Sequence, residues 1–475
     1  MNIAGNCKVA AASYSDGTIR WYRMSDGKEL LALFPHKDKK RWVLWTPSGY
    51  YDASPGAEEL IGWHVNRGED READFFPVSR FRSVYYRPDV VGKILETLDE
   101  SEAVRLADEE SKHKRQEENI LKRLPPVVRI LSPVEGDEVS APEITLKYLL
   151  RSPSGEPVTG VHAYIDGRPV IQQRGLKIVA KDETIHEMSL SIPKRDVQIS
   201  LIAENRYSAS EPALVRLTWG GEAREEFVIK PKLYVMAIGV SDYTDDSLDL
   251  RYAAKDAHDF SAQLREQSGR LYRGVEVLLL TDEKASKDEI LDALDWIERN
   301  TTQHDVAMLY LAGHGVNDKA GDYYFLPGDV NLERLRRTGL PFMEIKKTIS
   351  SLAGKALFFV DTCHSGNIMG ARRGPADMNA VVNELASTES GAVVFTASTG
   401  NQYSLEDPSW QNGAFTKALV EGLSGKADYS GSGRITVNML DLYISERVKT
   451  LTKGQQTPTT AKPYTVPDFP VVLVK

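Results

Sequence analysis

Cysteine is scarce in this chain: only Cys7 and Cys363 occur among 475 residues. Two cysteines cannot build the disulfide network that stabilises small secreted domains, and such scarcity is typical of a reducing compartment. The first residues, MNIAGNCKVAAASYSDG, also lack the order of a signal peptide, in which basic residues precede an apolar run. These features predict a cytoplasmic protein.

Long apolar runs and an excess of basic charge are missing too. No stretch approaches the roughly 20 apolar residues of a membrane helix, so we expect no membrane partner. The formal net charge of -9 argues against nucleic acid, because phosphates are bound by a basic face. With 41% hydrophobic and 27% charged residues, the composition is that of a soluble globular protein. The length suggests about three domains.

The first segment, residues 1–68, is predicted to be β-structure. Apolar and polar residues alternate along it, and the turns Asp16-Gly17 and Asp26-Gly27 separate the predicted strands. The segment resembles the end of a WD-repeat propeller. It covers only about one and a half blades, whereas a propeller has four or more. Either the remaining blades lie on a longer parent chain, or these strands pack elsewhere.

Residues 69–124 are predicted to be a charged helical linker. Acidic and basic residues recur three and four positions apart, which favours a solvated connecting helix with exposed ion pairs. A regulatory contact is the alternative, and Pro125-Pro126 ends the helix.

Residues 125–221 are predicted to be a small β-sandwich. Short β-rich runs alternate with turn signals, and Asp166-Gly167 is a good hairpin turn. The pattern resembles an immunoglobulin-like domain without its disulfide. No cluster of catalytic residue types lies here, so binding or spacing is the expected role.

Residues 230–475 show a different pattern, in which apolar strands alternate with amphipathic helices. Continuous apolar strands such as LYVMAIGV, VAMLYLA and KALFFV indicate a largely parallel sheet that helices cover on both faces. We therefore predict a multidomain protein: an α/β domain preceded by an all-β sandwich and a partial propeller-like segment. The chemistry is expected at the carboxyl ends of the parallel strands.

Two of these strand ends carry residues suited to nucleophilic catalysis. His314 follows one strand, between Gly313 and Gly315, and Cys363 follows another. An imidazole at a neighbouring strand end can deprotonate the thiol and later protonate a leaving amine. The N–H groups of Gly315 and Cys363 are candidate donors to an oxyanion. Taken singly, such a cysteine is more often a small buried hydrophobe, and such a histidine a hydrogen-bonded structural residue.

The motifs around this pair resemble those of a known family. HG after one strand and DTCHSG after another, 49 residues apart, resemble the catalytic pair of caspases and, more closely, of metacaspases. The segments LYVMAIGVSDY and QNGAFTKALVEGL resemble the family's first and last core segments, so the likeness covers roughly 232–475. The whole chain resembles bacterial multidomain caspase homologues. The resemblance implies a cysteine endopeptidase with Cys363 as nucleophile, His314 as base and a thioester acyl-enzyme.

The residues beside the nucleophile indicate the substrate. Asp361-Thr362-Cys363 has the metacaspase arrangement rather than the Gln-Ala-Cys of caspases, and Asp256 matches the acidic residue of a metacaspase Asn-Asp-Ala motif. Two carboxylates in one pocket repel each other when it is empty and bind a guanidinium or an ammonium group well. We therefore expect cleavage after Arg, and after Lys second.

One part of the family's pocket differs in this sequence. Asn401 stands where the family often has a further Asp, and Glu406 or Asp407 is a candidate substitute. Alternatives exist for the main acids as well: Asp256 as a solvated helix residue, and Asp361 as a structural acid of the nucleophile loop.

Arg372 and Arg373 follow the nucleophile in a predicted exposed loop. Caspase-like enzymes are often matured by a cut in this region, so both are candidates for self-cleavage, although Pro375 would hinder some registers. A flexible basic loop is the equal alternative.

No metal site or cofactor is predicted, because the histidines and Cys363 match no zinc signature and no EF-hand loop occurs. A calcium requirement stays open on the resemblance. The expected partners are protein substrates and an activating protein or protease. Two alternative functions stay open: a catalytically latent scaffold or interaction protein, and a caspase-like protease with Asp at P1.

Overall fold

The computed structural model describes most of the chain in two compact units, Met1–Pro125 and Pro126–Lys475. The described residues are 2–3, 8–69, 71–111, 120–178, 183–221, 230–318, 322–364, 378–385, 391–398, 404–463 and 465–474, with backbone alone at 2–3, 111, 171–178, 363–364 and 378. Within these ranges no helix has the length and apolarity to cross a membrane.

The first unit begins with one antiparallel sheet in which each strand pairs with the next along the chain. Its strands are β1 Asn2–Ile3, β2 Val9–Ser13, β3 Ile19–Arg23, β4 Glu29–Pro35, β5 Trp42–Trp45 and β6 Tyr51–Ala53. Gly17 and Gly27 lie in the turns between strands with positive φ, as their Asp-Gly pairs predict. Six strands in one meander exceed the four of a propeller blade, so the relation to propellers stays a prediction.

Residues 69–124 are not the solvated linker that their charge suggests, because they lie within the first unit. From residue 58 onwards the elements of this unit are β7 Gly62–Val65, β8 Asp74–Pro77, α1 Arg82–Tyr85, α2 Pro88–Val91, α3 Ile94–Thr97 and α4 Glu100–Ser111, with 3₁₀ turns at Glu58–Leu60, Val78–Phe81 and Ile120–Lys122. In α4, Ala103, Val104 and Ala107 are buried in one apolar cluster with Leu30 and Leu31 of β4. These small residues form one narrow helix face, which the surrounding charged residues obscure in the sequence.

The second unit begins with two sheets around a single core. The strands are β9 Val127–Ser132, β10 Glu138–Val139, β11 Glu143–Arg151, β12 Val158–Ile165, β13 Arg168–Ile178, β14 Thr184–Ser191, β15 Val197–Glu204 and β16 Ala213–Trp219. One sheet has the order β10-β16-β15-β12-β13 and the other β14-β11-β9. Leu146 and Leu190 of one sheet and Val161 and Ile199 of the other share the core. The resemblance to immunoglobulin domains stays a prediction.

The rest of the unit is an α/β domain with a mixed, largely parallel sheet. The strands of this domain are β17 Lys232–Gly239, β18 Gly274–Thr281, β19 Val306–Asn317, β20 Tyr323–Phe325, β21 Leu340–Pro341, β22 Lys355–His364, β23 Val393–Thr396, β24 Glu406–Asp407, β25 Asn412–Gly413, β26 Arg434–Thr436, β27 Thr459–Ala461 and β28 Pro470–Leu473. Of these, β24 pairs with β25 and β26 with β28 in separate two-stranded sheets. The main order is β18-β17-β19-β22-β23-β27, in which only β27 runs antiparallel to its neighbour.

Helices cover both faces of this sheet, as the continuous apolar strands predict. They are α5 Ala253–Arg265, α6 Lys287–Asn300, α7 Leu335–Thr338, α8 Phe342–Ser351, α9 Met378–Leu385, α10 Ala414–Glu421 and α11 Val437–Leu451, with short 3₁₀ turns at Asp246–Leu248, Asp282–Lys284 and Leu332–Arg334 and a π turn at Gly422–Lys426. Along β17, Met236 packs with α6 and α8 on one face, and Val235 with α5, α10 and α11 on the other. The carboxyl ends of β17, β19 and β22 therefore meet at one edge between two helical layers.

The amino end of β22 lies near the sandwich. The Lys355 ammonium lies 4.3 Å from the ring centroid of Phe469. The β12–β13 turn is close to this region, since a Cβ on Gly167 would lie 3.5 Å from Val466 Cα. Burial, with help from the positive charge of Arg168, lowers the pKa of Lys355 to about 8. The charged form of the Lys355 ammonium therefore lowers the free energy of unfolding at neutral pH, because burial disfavours the charge.

Replacing Lys355 with methionine should therefore raise the free energy of unfolding at pH 7, by about 1–3 kcal/mol. Between pH 8 and the ordinary lysine pKa of about 10.4, the unfolded chain binds more protons than the folded one, so wild-type stability rises with pH. The difference in the free energy of unfolding between variant and wild type, measured by urea unfolding, should accordingly be smaller at pH 10 than at pH 7. Lys347→Met, at an exposed position, is the control. A Lys355→Met variant less stable than wild type at pH 7 would contradict the expectation.

Candidate active site

The structure brings His314 and Cys363 into register on neighbouring strands. In the parallel pairing of β19 with β22, His314 lies opposite Cys363. This pair directly follows the pair of Gly313 and Thr362. Neighbouring strands lie about 4.8 Å apart, and paired positions share a face of the sheet. The side chain of Cys363 lies outside the described residues, so its position is known from the backbone. Residues 49 positions apart thus become adjacent at the carboxyl edge of the sheet.

His314 is held by the loop that follows β17. Its Nε2 lies 2.8 Å from the carbonyl oxygen of Leu248. Because a carbonyl can only accept a hydrogen bond, Nε2 carries a proton, and Nδ1 is the nitrogen that can take a proton from a thiol. Burial lowers the pKa of His314, and the bond to Leu248 opposes this effect. A lower pKa favours the neutral form of the imidazole, which is the form that can accept a proton.

The glycines that flank His314 make room for tyrosine side chains. Gly313 has φ +152°, and a Cβ there would lie 3.0 Å from the hydroxyl of Tyr243. A Cβ on Gly315 would lie 2.0 Å from the hydroxyl of Tyr323. The contacts give a reason for these two glycines, which is the packing of tyrosine side chains against the strand.

Asp256, Asp361 and Glu406 come together from three separate elements. Asp361 on β22 is 6% exposed, and Asp256 on α5 is 2% exposed. A Cβ on Gly413 would lie 3.0 Å from Asp361 Oδ2 and 3.1 Å from Asp256 Oδ2, so both carboxylates face the same point. Glu406, on β24, accepts hydrogen bonds from the backbone N–H groups of Arg251 and Tyr252, which precede α5.

The donors to the two buried acids are neutral groups. Asn412 Nδ2 donates to Asp256 Oδ1 at 2.7 Å, and the backbone N–H of Gly413 donates to Oδ2 at 3.0 Å. Asp361 accepts from the hydroxyl of Ser404 and, at 2.7 Å, from that of Thr416. Among the described residues, no lysine, arginine or histidine forms an ion pair with either acid. Within the described part of the chain, the pair is therefore a hydrogen-bonded anionic site that is paired with no protein cation.

The pKa values of all three acids are raised above their usual range. Burial and then the charge of Asp361 hold the pKa of Asp256 well above its usual range. Burial raises the pKa of Asp361, against the hydrogen bonds from Ser404 and Thr416. Burial raises the pKa of Glu406 as well, and the charge of Asp361 adds to the effect. A bound cation would relieve this repulsion and favour the ionised forms.

Other predicted residues lie apart from this cluster or cannot be placed. Asp407 binds the backbone N–H and the hydroxyl of Ser409 instead, and these bonds lower its pKa. Arg372, Arg373 and Asn401 lie outside the described residues. Among the residues that the structure does describe, no group of three His, Cys, Asp or Glu side chains could hold a metal ion.

Several site residues were not singled out from the sequence. These are Tyr243, Leu248, Tyr323, Ser404, Asn412, Gly413 and Thr416. The segment QNGAFT contains three of them and was noted for its family likeness, but not for contact with Asp256 and Asp361. Asn412 lies 156 positions from Asp256, and only the packing of β25 against α5 brings them together.

Residues 232–466 match the family model of the caspase domain. The predicted resemblance to caspase-type and metacaspase-type cysteine peptidases is therefore confirmed, and this part of the chain is a caspase domain. No curated protein matches the chain.

Several solved structures are similar to parts of the chain. Protein GSU0716 from Geobacter sulfurreducens has 20% identity and a TM-score of 0.36, covering 49% of this chain and 94% of its own. The fibronectin(III)-like modules of Clostridium thermocellum CbhA have 20% identity and a TM-score of 0.17, covering 22% of this chain and 50% of theirs. The CARDB domain of Pyrococcus furiosus PF1109 has 15% identity and a TM-score of 0.16, covering 20% of this chain and 94% of its own. All three TM-scores are below 0.5, so the family assignment depends on the match over residues 232–466.

Proposed function

We propose that this protein is a cysteine endopeptidase that cleaves protein substrates after Arg, and after Lys second, with Cys363 as nucleophile and His314 as base. The observation that carries the proposal is the register of His314 with Cys363 at the carboxyl edge of the sheet. The caspase-domain match supports the reaction class. The anionic site supports the preference for basic residues.

In the proposed reaction, His314 Nδ1 accepts the thiol proton and the sulfur attacks the carbonyl carbon of the scissile bond. The backbone N–H groups of Gly315 and Cys363 donate to the oxyanion that develops. The imidazolium then protonates the leaving amine, which leaves a thioester on Cys363. Water attacks this thioester with His314 as the base, releasing the carboxylate product and the free thiol. No step requires a cofactor or a metal ion.

The preference for arginine follows from charge. Asp256 and Asp361 are buried, face one point beside Gly413 and have only neutral donors among the described residues. A guanidinium offers five N–H donors in a planar fork, which suits two carboxylates better than the single ammonium of lysine. Glu406 adds negative charge at the same site. Substrate aspartate would be repelled.

Regulation and location are part of the same proposal. The enzyme acts in the cytoplasm on protein substrates, and it is matured by an activating protein or protease or by its own cut after Arg372 or Arg373. An enzyme specific for arginine could perform that cut itself.

The test is hydrolysis of fluorogenic peptides that differ only in P1, with Arg, Lys, Asp or Ala, by the full chain and by Cys363→Ala. Each reaction is run with calcium and with a chelator, and intact mass is recorded before and after incubation. We expect turnover of the Arg peptide, less of the Lys peptide and none by the variant. Under the same conditions, the masses of two fragments produced by a cut after Arg372 or Arg373 should appear in wild type alone.

Each alternative predicts a different result. Turnover of the Asp peptide would retain the nucleophile and overturn the anionic site as the P1 pocket. No turnover by wild type, together with no labelling of Cys363 by a thiol-reactive peptide, would indicate a scaffold. Turnover with an intact chain would remove self-cleavage from the proposal and leave the specificity in place.

A further inference from the structure

Two tyrosines pack against the strand segment that carries His314. Tyr243, in the loop after β17, accepts a hydrogen bond from the backbone N–H of His314 at 3.0 Å. Its ring centroid lies 5.4 Å from that of the imidazole. The same loop supplies the Leu248 carbonyl that binds Nε2. His314 is thus held by one loop at its backbone, at its ring face and at one ring nitrogen.

Tyr323 approaches the segment from the antiparallel strand β20. Its hydroxyl donates to Thr362 Oγ1 at 3.1 Å, and Thr362 directly precedes Cys363 on β22. This hydroxyl occupies the space where a Cβ on Gly315 would lie. Tyr323 therefore packs against the strand of His314 and bonds to the strand of Cys363.

We propose that Tyr243 and Tyr323 are positioning residues that hold the imidazole of His314 against the strand of Cys363. The inference deepens the proposed function and depends on its Cys363–His314 pair. It assigns a role to residues beyond the HG and DTC motifs, and it explains why His314 stands between two glycines.

Geometry makes such a role consequential for the chemistry. A base and a nucleophile on two separate strands react well only if the strands keep a fixed separation and the ring keeps one rotamer. Displacement of a reacting group by about 1 Å can cost 10²-fold in rate. Tyr243 restricts the ring, and Tyr323 restricts the separation of the strands. Neither hydroxyl need contact the substrate.

The test measures the pH dependence of Cys363 alkylation by iodoacetamide, which needs no peptide substrate. The parent is the full chain with Cys7→Ser, so that Cys363 is its only thiol. The variants are Tyr243→Phe and Tyr323→Phe, which keep the ring and lose the hydroxyl. Tyr272→Phe is the matched control, because Tyr272 is 1% exposed and its hydroxyl donates to the Val471 carbonyl at 2.9 Å, away from the site.

A thiol paired with an imidazole ionises below its ordinary value of about 8.5. In the parent, we expect the midpoint of the pH dependence of Cys363 alkylation to lie below about 8.5. In each site variant this midpoint should move towards 8.5, and alkylation at pH 6.5 should be slowed about tenfold. The control should lower the melting temperature comparably and leave the midpoint unchanged. On the Arg peptide, kcat should fall in the site variants with KM nearly constant.

Two outcomes would overturn the inference, and they can be told apart. The role of the tyrosines alone would be overturned if both site variants kept the lowered midpoint of the parent. It would also be overturned if Tyr272→Phe moved the midpoint as far as the site variants do. An ordinary midpoint in the parent, with no peptide cleaved, would overturn the proposed function and this inference together.

Discussion

Replacing His314 with alanine should lower kcat/KM for an arginine peptide by roughly 10²–10⁴-fold, the usual contribution of a general base. The variant retains the thiol but has no group at that position to accept its proton. The bond from Nε2 to the Leu248 carbonyl shows that the imidazole is already in the tautomer that such a base requires. Steady-state kinetics with the arginine peptide measures the loss, and added imidazole should restore part of the rate.

His304→Ala is the control for this variant. His304 is exposed and precedes the same strand at its amino end, far along β19 from the proposed site. Its replacement should leave kcat/KM within about twofold, because surface substitutions away from special features change little. If His314→Ala keeps more than half of the wild-type rate while its melting temperature is unchanged, another residue serves as the base.

Replacing Asp256 with asparagine should lower kcat/KM for the arginine peptide by roughly 10–100-fold, chiefly through KM. A hydrogen bond to a charged group contributes about 1.5–3 kcal/mol, which corresponds to this range. The asparagine has the same shape, so the loss reports the missing negative charge beside Asp361. Peptides with P1 arginine and with P1 citrulline, which is neutral and nearly isosteric, should differ less in the variant than in wild type.

The pH dependence of KM provides a second measurement on the same variant. Burial raises the pKa values of Asp256 and Asp361, and the charge of Asp361 adds to the effect on Asp256, so the empty pocket holds a proton at lower pH. A guanidinium favours the ionised forms, and its binding therefore releases that proton. In wild type, KM for the arginine peptide should fall as pH rises, and Asp256→Asn should flatten this dependence.

Asp259→Asn tests whether the effect is specific to the pocket. Asp259 lies one turn further along α5 and also accepts from Asn412 Nδ2, at 2.8 Å, but it has Lys255 as an ion-pair partner. Its replacement should change KM little. Equal losses in the two variants would show that Asn412, rather than the charge of Asp256, accounts for the effect, and the pocket assignment would then be wrong.

Local patterns in the sequence were sufficient for the class of the α/β domain. Apolar runs such as those of β17, β19 and β22 favour strands buried on both faces, and amphipathic segments such as α6 favour the helices that cover them. The same reasoning failed for α4, because its apolar face of Ala103, Val104 and Ala107 is narrow and its charged residues dominate the composition. Charge density describes the exposed side of a helix and says little about the other side.

What the sequence by itself determined is the family and the candidate pair His314 and Cys363, since HG and DTC each follow an apolar strand and depend only on local order. What the tertiary structure alone decided is everything that requires pairing over long distances. Parallel register sets His314 opposite Cys363, and packing of β25 against α5 adds Asn412 and Gly413 to the acids. It also directs Tyr243 and Tyr323 into the spaces beside two glycines. Such contacts join positions up to 157 residues apart, and a chain carries no local signal for them because they arise only when separate elements share one core.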